Sequence, residues 1–349
     1  MKKNIPVVLS LYLIIVILTS GCIQESGEPV EIPDAIEANC MGFLIGNPDE
    51  EMQTARQAGA GWARPHPGPF AWEFIEPVKG QFVFTGTDEW VISAQENNMA
   101  ILGTIWPYAD WDQSKCHGIE CEVGEEDEFH IKTIPGEPPM PGIPLSRCVP
   151  CGMGDYGVFV SALVERYDGD GIDDMPGLEI PIKYWEILNE PEEGWPTLTF
   201  FIGTHEEYFE ILKHSSEAIK SACPDCMVVQ GGAQHSMQYN LEWWEDLFDL
   251  GGADYFGIAN VHYITEGDLD TLNVANFKSL MQEKGIDKPI WVTEAQYNSE
   301  DEVEDSVEGA LAAGASKIFF TQFNIGEFGV PVPGEYSLIY DSIPEKCNG

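Results

Sequence analysis

The sequence has 349 residues, of which 44% are hydrophobic and 11% aromatic, enough for the core of one large domain or of two ordinary ones. Acidic residues outnumber basic ones by 59 to 17, so the formal net charge is −42 at pH 7. A surface with that charge repels nucleic acid and anionic lipid, which excludes both as binding partners.

The first 22 residues predict an export signal and not a part of the fold. Lys2 and Lys3 precede an apolar run over residues 5–18, and small residues then lead to Cys22. The apolar run is shorter than the roughly 20 residues that a membrane-spanning helix needs. The Ser-Gly-Cys sequence resembles a lipoprotein box, which implies that Cys22 carries a lipid. We therefore expect membrane contact only through a lipid anchor.

Residues 23–38 are acidic and contain proline and glycine, which predicts a tether. The folded domain is expected over residues 39–349. An anchored or secreted protein of this kind lies outside the cytoplasm, on the cell surface. In that environment the eight cysteines other than Cys22 are expected to be paired.

From residue 41 onward, short apolar runs alternate with amphipathic helical patterns. The predicted strands cover residues 41–46, 61–65, 99–106, 183–190, 227–232, 255–263, 288–296 and 317–323. Helices are predicted over residues 49–58, 88–98, 155–167, 205–222, 241–250, 269–284 and 302–313. The strands are continuously apolar, which indicates burial on both faces. Eight strand–helix units in succession predict a single-domain (β/α)8 TIM barrel, with a short or irregular eighth helix.

A long loop follows the third strand, over residues 112–153. It is rich in proline, glycine, glutamate and cysteine, and it lies on the face of a barrel where loops shape substrate access. Four cysteines occur in it, at positions Cys116, Cys121, Cys148 and Cys151. Four thiolates could hold a structural zinc ion, but outside the cytoplasm we expect disulfides.

Two further cysteine pairs are expected to be structural. Cys223 and Cys226 lie between the fourth helix and the fifth strand. This is the face of a barrel opposite the one that carries active sites, which favours a local structural bridge. Cys40 and Cys347 flank the beginning and the end of the barrel. A bond between them would close the ring of strands.

Two of the predicted strands end in a glutamate. The fourth ends in Asn189-Glu190-Pro191, where proline stops the strand because it has no N–H to donate, and the seventh ends at Glu294. The carboxyl ends of parallel strands meet on one face of a barrel. Two carboxyl groups there are what cleavage of a glycosidic bond needs. A purely structural role for both would require a coincidence at two strand ends.

The residues around these two glutamates resemble the motifs of a known enzyme family. Trp-Glu-Ile-Leu-Asn-Glu-Pro-Glu on strand 4 and Trp-Val-Thr-Glu on strand 7 are similar to those of clan A glycoside hydrolases, the retaining (β/α)8 group that includes cellulase-like and β-xylosidase-like enzymes. The resemblance runs from about residue 39 to residue 339. It implies that Glu190 is the general acid and base and Glu294 the nucleophile. It also implies that Asn189 binds the sugar 2-hydroxyl.

Further residues follow from the same resemblance. Arg64, at the end of strand 2, is expected to hold Glu294 ionised and to lower its pKa relative to that of Glu190. From strand 6, either His262 or Tyr263 should reach the nucleophile, and the sequence leaves the choice open. The resemblance requires neither a metal ion nor an organic cofactor.

Aromatic residues on the catalytic face are candidate sugar contacts, because the CH faces of a pyranose stack on aromatic rings. We expect Trp111 and Trp195 to act in this way. Clan members often place a tryptophan at the end of strand 8, where this chain has Gln322-Phe323-Asn324. Phe323 could partly replace that ring.

The sequence therefore predicts a retaining glycoside hydrolase that cleaves β-glycosidic bonds of an oligo- or polysaccharide by double displacement. The missing tryptophan motivates one alternative, a non-catalytic glycan-binding lipoprotein on a decayed barrel. A transglycosylase that uses the same residues is another.

Overall fold

The computed structural model describes residues 28–124, 127, 142–192, 199–235, 238–327 and 332–347. The predicted signal with Cys22 lies outside them, as does Trp195. The strands are β1 (Met41–Ile45), β2 (Trp62–Pro65), β3 (Ala100–Ile105), β4 (Tyr184–Ile187), β5 (Met227–Gln230), β6 (Ala259–Ile264), β7 (Ile290–Gln296) and β8 (Ala315–Phe320). The principal helices are α1 (Pro48–Gln57), α2 (Thr85–Glu96), α3 (Met153–Tyr167), α4 (His205–Ala222), α5 (Gln238–Asp249), α6 (Val274–Glu283), α7 (Val303–Ala313) and the short α8 (Ile343–Lys346).

The eight strands form one parallel sheet in the order β5-β4-β3-β2-β1-β8-β7-β6. Its two edges meet through parallel bridges from Val229 to Ile258 and from Ala233 to Val261, so the sheet closes into a barrel. The predicted (β/α)8 fold and the short last helix are confirmed. Within the described ranges, no helix is long and apolar enough to cross a bilayer.

The helix predicted over residues 269–284 differs from the observed one. A single 3₁₀ turn, Leu269–Thr271, is followed by a break, and α6 begins only at Val274. Leu272 and Asn273 adopt left-handed backbone angles, with φ of 49° and 65°, which interrupt the helix.

The barrel interior has an apolar lower layer and a polar upper layer. On β2, for example, Trp62 belongs to the lower layer and Arg64, two residues later on the same side of the strand, to the upper one. The lower layer comprises Ile36, Trp62, Ala100, Leu102, Ile180, Val229, Ile258, Trp291 and Phe319. The upper layer faces the carboxyl ends of the strands and includes Arg64, Thr104, Glu186, Asn260 and Thr293.

Part of the predicted tether packs against the barrel. Residues 34–37 form a short helix whose Ile36 is buried in the lower apolar layer. The Trp62 indole N–H donates to the Ile36 carbonyl at 3.0 Å, and Lys317 donates to the Glu37 carbonyl at 2.7 Å. The folded domain thus begins earlier than residue 39, because Ile36 covers the apolar bottom of the barrel.

The pairing of β6 with β7 shifts by one residue near the carboxyl ends of the strands. Val261 is opposite Val292, but His262 is opposite Glu294, so Thr293 is an extra residue on β7. Successive side chains of a regular strand point to opposite faces, whereas a bulge re-aims them. The side chains of Thr293 and Glu294 therefore both reach the barrel interior.

The described cysteines form four disulfides. Cys116 bonds to Cys151 and Cys121 to Cys148, so the loop after β3 is held by two bridges. The zinc alternative for these four is wrong, because their sulfurs are bonded to each other. The predicted local bridge joins Cys223 to Cys226.

The predicted ring closure is also confirmed, since Cys40 bonds to Cys347 across a sequence separation of 307. Removing this bridge as Cys40→Ala/Cys347→Ala should lower the free energy of unfolding by about 2–5 kcal/mol, because a long loop is no longer constrained in the unfolded chain. Cys223→Ala/Cys226→Ala is the control, since it opens a loop with a separation of only 3 and should cost less. Equal losses in urea unfolding would contradict this account.

Candidate active site

Two glutamates and a histidine meet at the carboxyl end of the barrel. One oxygen of Glu190, one oxygen of Glu294 and a ring nitrogen of His262 all lie within 4.8 Å of one another. His262 Nδ1 is 2.7 Å from Glu190 Oε1 and 3.8 Å from Glu294 Oε1. All three residues are buried to at least nine-tenths. The two carboxyl groups therefore face a common space beside the imidazole.

Arg64 ties this cluster to the polar layer below it. Its Nη1 donates to Glu294 Oε1 at 2.8 Å, its Nε donates to Glu186 Oε2 at 2.8 Å, and its Nη2 donates to Asn189 Oδ1 at 2.6 Å. The guanidinium is fully buried. The predicted contact between Arg64 and Glu294 is present, and Arg64 also forms a structural ion pair with Glu186.

Burial dominates the ionisation of Glu294. Desolvation raises its pKa above the ordinary glutamate value, while the Arg64 guanidinium acts to lower it and Glu190 raises it further. Arg64 thus acts in the predicted direction, but the net shift is upward because the carboxylate is shielded from water. Burial also lowers the pKa of His262, to about 4, so this imidazole is neutral at neutral pH.

The backbone leaves β geometry directly after β4. Leu188 and Glu190 have φ of 64° and 39°, left-handed values that few residues other than glycine adopt. Leu188 is fully buried and its N–H donates to the Ile105 carbonyl at 3.1 Å, which holds the strained turn in place. Such strain persists where the surrounding structure enforces it, typically at functional sites.

Several buried polar atoms on residues that follow β4, β5 and β8 have no hydrogen-bond partner within the described part of the chain. They are Asn189 Nδ2, Gln234 Oε1, His235 Nδ1 and, after β8, Gln322 Oε1. Gln234 also donates to Glu190 Oε2 at 3.4 Å. Unsatisfied buried polar atoms are destabilising, so a concentration of them suits a site that binds a polar ligand.

Gln234 and His235 were missed by the sequence analysis. They follow β5 in Gly-Gly-Ala-Gln-His, which matches no catalytic motif. Their place directly after a barrel strand is the signal that could have found them.

The structure decides between the two candidates on β6. His262 points into the barrel, whereas Tyr263 lies in the outer layer with its ring 6.3 Å from that of Tyr297. Tyr297 in turn contacts Ser306 of α7 through its hydroxyl. His262 is therefore the residue that reaches the carboxylates, because the strand alternates its side chains.

Two aromatic residues that the sequence suggested as sugar contacts pack against other aromatic side chains of the protein. Trp111 packs edge-on against Trp72, with ring centroids 5.1 Å apart, and its N–H donates to the Glu76 carbonyl. Phe323 stacks on Phe43 at 4.6 Å and is buried in the hydrophobic core, so it does not replace the missing strand-8 tryptophan. A sugar contact by Trp111 stays a prediction.

A metal ion would fit poorly between the two carboxylates. Glu190, His262 and Glu294 could supply three ligand atoms. The Arg64 guanidinium, however, already places a positive charge 2.8 Å from Glu294, and it repels a cation there.

A cavity of about 430 Å³ is lined in part by the two residues that follow Glu190 in the chain. Its lining includes Pro191, Glu192, Thr199, Phe201 and Trp243. Glu192, which follows β4 and lines the cavity, accepts through Oε1 from the Gln234 backbone N–H at 2.8 Å. The cavity wall is thereby joined to the loop after β5. The volume lies within the range of small-molecule pockets.

Replacing Arg64 with leucine should lower the free energy of unfolding by about 3–5 kcal/mol, because Glu186 and Glu294 would be left as buried charges without a counter-charge. Lys79→Ala is the control: it breaks an exposed ion pair with Asp155, 2.6 Å long, and should cost about 1 kcal/mol or less. Urea unfolding measures both. A similar small loss for the two variants would contradict the proposed role of Arg64.

No protein-family model and no curated protein matches this sequence. Solved structures do match its fold. The glycoside hydrolase family 39 enzyme from Xanthomonas axonopodis pv. citri aligns with a TM-score of 0.60 at 12% identity, covering 91% of this chain and 67% of that one. A family 39 glycoside hydrolase from Bacteroides cellulosilyticus WH2 aligns at 0.55 and 16%, covering 89% and 64%.

Xylanase 10B from Thermotoga petrophila RKU-1, solved with xylobiose, aligns with a TM-score of 0.50 at 16% identity and covers 85% of this chain and 86% of that one. By contrast, this chain covers only 62%, 64% and 59% of the glucosidase, family 39 and β-galactosidase structures. At these identities the likeness establishes a shared (β/α)8 barrel.

Proposed function

We propose that this chain, whose barrel is shared with glycoside hydrolases of known structure, is a retaining glycoside hydrolase acting on β-glycosidic bonds. The proximity of the two glutamates supports this most strongly. Oxygens of Glu190 and Glu294 lie within 4.8 Å of each other. Retaining enzymes hold their carboxyl groups about 5–5.5 Å apart, close enough for direct attack, whereas inverting enzymes leave about 6.5–9.5 Å for a water.

In the first step, Glu294 attacks the anomeric carbon and forms a glycosyl ester, while Glu190 gives its proton to the oxygen of the leaving group. In the second step, Glu190 removes a proton from water, whose oxygen displaces Glu294. Two inversions give net retention.

Asn189 is suited to bind the sugar 2-hydroxyl. Its Oδ1 accepts from Arg64 at 2.6 Å, which orients the amide, and its Nδ2 is without a partner among the residues described. A donor held in place before the reaction stabilises charge that develops in the transition state.

The stereochemistry of the product tests the proposal. Active members of a panel of nitrophenyl glycosides, β-glucan, mannan and xylan would first be identified. Proton NMR of the fresh product should then show the β-anomer before mutarotation. Initial release of the α-anomer from a β-glycoside would mean inversion and would overturn the proposal.

Two alternatives give different results in the same assay. A glycan-binding protein on a decayed barrel would bind polysaccharide without releasing product; the buried Phe323, which leaves no aromatic platform at this position, favours it. A transglycosylase would form new glycosides when an acceptor sugar is added, because water is excluded from the second step.

We also propose that the enzyme works outside the cytoplasm, anchored by a lipid on Cys22. Four disulfides among the described residues support an oxidising compartment. The charge of −42 suits a solvated surface that is held to a membrane by lipid alone.

A further inference from the structure

A chain of buried hydrogen bonds runs from Glu190 through the polar upper layer of the barrel to Glu186. His262 Nδ1 is 2.7 Å from Glu190 Oε1, and His262 Nε2 is 2.9 Å from the Thr293 hydroxyl. That hydroxyl is 2.9 Å from Asn260 Oδ1 and 3.1 Å from Glu186 Oε1. The β7 bulge makes this possible, because it turns Thr293 toward the interior next to Glu294.

The direction of this chain is set at Asn260. Its Nδ2 donates to Glu186 Oε1 at 2.6 Å and to the Gln230 carbonyl at 3.3 Å. Both neighbours only accept, so the amide group must present its nitrogen to them and its oxygen to Thr293. The amide orientation is therefore fixed by two independent contacts.

The Thr293 hydroxyl has one proton and three neighbours. Asn260 Oδ1 and the Glu186 carboxylate, which is paired with Arg64, can only accept it. A hydrogen bond to an ionised group is the stronger one, so the proton points toward Glu186. The remaining lone pairs of Thr293 face His262 Nε2, which must then carry the hydrogen.

A neutral imidazole with hydrogen on Nε2 has a lone pair on Nδ1. Burial keeps His262 neutral at neutral pH. At 2.7 Å, the contact between Nδ1 and Glu190 Oε1 then needs a proton from the carboxyl group. The charged and titratable groups facing this pair from the surrounding elements are Arg64, His66, Glu186, Glu192, His235 and Glu294.

We propose that Thr293 is a positioning residue that fixes the Nε2–H tautomer of His262 and thereby keeps the catalytic proton on Glu190 in the resting site. This inference rests on the proposed function of Glu190 as the general acid. The imidazole prepares that acid without exchanging a proton with it.

The same arrangement serves both steps. After Glu190 has given its proton to the leaving group, its carboxylate faces the Nδ1 lone pair. Their repulsion favours recovery of a proton, and the attacking water supplies one in the second step. The cycle therefore ends with Glu190 protonated, as it began.

Thr293→Val removes the hydroxyl while keeping the shape of the side chain. His262 can then place its hydrogen on Nδ1 and donate to an ionised Glu190, so the alkaline limb of the pH profile of kcat/KM should move to lower pH. On that limb, activity toward a phenyl glycoside should fall about tenfold or more. Activity toward a dinitrophenyl glycoside, whose leaving group needs no proton, should change little. Thr293→Ser keeps the hydroxyl and should retain the wild-type profile.

Nitrogen-15 NMR of histidine-labelled wild-type protein reads the tautomer directly and needs neither activity nor a variant. The proposal expects hydrogen on Nε2 of His262 at neutral pH. Hydrogen on Nδ1 would overturn it, and so would an unmoved alkaline limb in a folded Thr293→Val variant. If the protein cleaves no glycoside but His262 carries the Nε2–H, the proposed function fails while the tautomer assignment stands.

Discussion

Glu294→Ala should lower kcat/KM for aryl β-glycosides by about 10⁴-fold or more, because the covalent route loses its nucleophile. Glu294, the proposed nucleophile, is held by Arg64 at 2.8 Å and has an oxygen within 4.8 Å of one of Glu190 in a buried site. Steady-state kinetics with a nitrophenyl substrate measures the loss. Glu283→Ala, an exposed change on α6, should retain wild-type activity.

Azide tests the role of Glu294 beyond the loss of rate. The small anion can enter the space left by the carboxylate and attack the anomeric carbon directly, with Glu190 still able to protonate the leaving group. Rescue should give the α-glycosyl azide from a β-glycoside, since one displacement inverts the centre. Failure of azide to restore any turnover in a folded variant would count against Glu294 as the nucleophile.

Glu190→Ala should have an effect that depends on the leaving group. A phenyl glycoside needs its oxygen protonated, so its cleavage should fall by about 10²–10⁴-fold, whereas formation of the glycosyl ester from a dinitrophenyl glycoside should be nearly unaffected. The alkaline limb of the pH profile should also disappear, because it reports the ionisation of the acid. Rates with substrates of graded leaving-group basicity measure both effects.

Azide distinguishes this variant from the previous one. In Glu190→Ala, azide should attack the ester on Glu294 and release the β-glycosyl azide, after two inversions. The two variants would therefore give opposite anomers from one substrate. Equal losses for phenyl and dinitrophenyl glycosides would contradict the assignment of Glu190 as the acid.

The sequence was sufficient to predict the barrel architecture and the proximity of the two glutamates. Eight apolar runs that alternate with seven helical patterns predict a barrel, and the carboxyl ends of its parallel strands necessarily meet on one face. Glu190 and Glu294 could therefore be brought together from the positions of two strand ends. The contact of Arg64 with Glu294 follows from the same rule, since β2 also ends on that face.

Features that depend on register could not be predicted. The bulge that turns Thr293 inward is set by how β6 pairs with β7, which leaves no trace in the residue pattern of either strand. For the same reason the choice between His262 and Tyr263 needed the structure. The balance between burial and Arg64 at Glu294 is likewise a property of the assembled site.

Local composition also misled at two places. The acidic stretch before residue 39 contains one apolar side chain, Ile36, that covers the barrel bottom, so a part that looks like tether is folded. Phe323 follows β8 at the carboxyl end of the barrel by position, but it stacks on Phe43 in the core. In both cases the burial of one apolar side chain determines where the segment lies, whatever its overall composition or position in the chain suggests.

Covalent trapping tests the central claim most directly. A dinitrophenyl 2-deoxy-2-fluoro-β-glycoside of the preferred sugar slows both steps by opposing positive charge at the anomeric carbon, while its good leaving group keeps the first step the faster one. Mass spectrometry of the digested enzyme should find one fluoroglycosyl group, on the peptide that contains Glu294. A label on any other residue, or steady release of the inverted sugar without a label, would contradict the account.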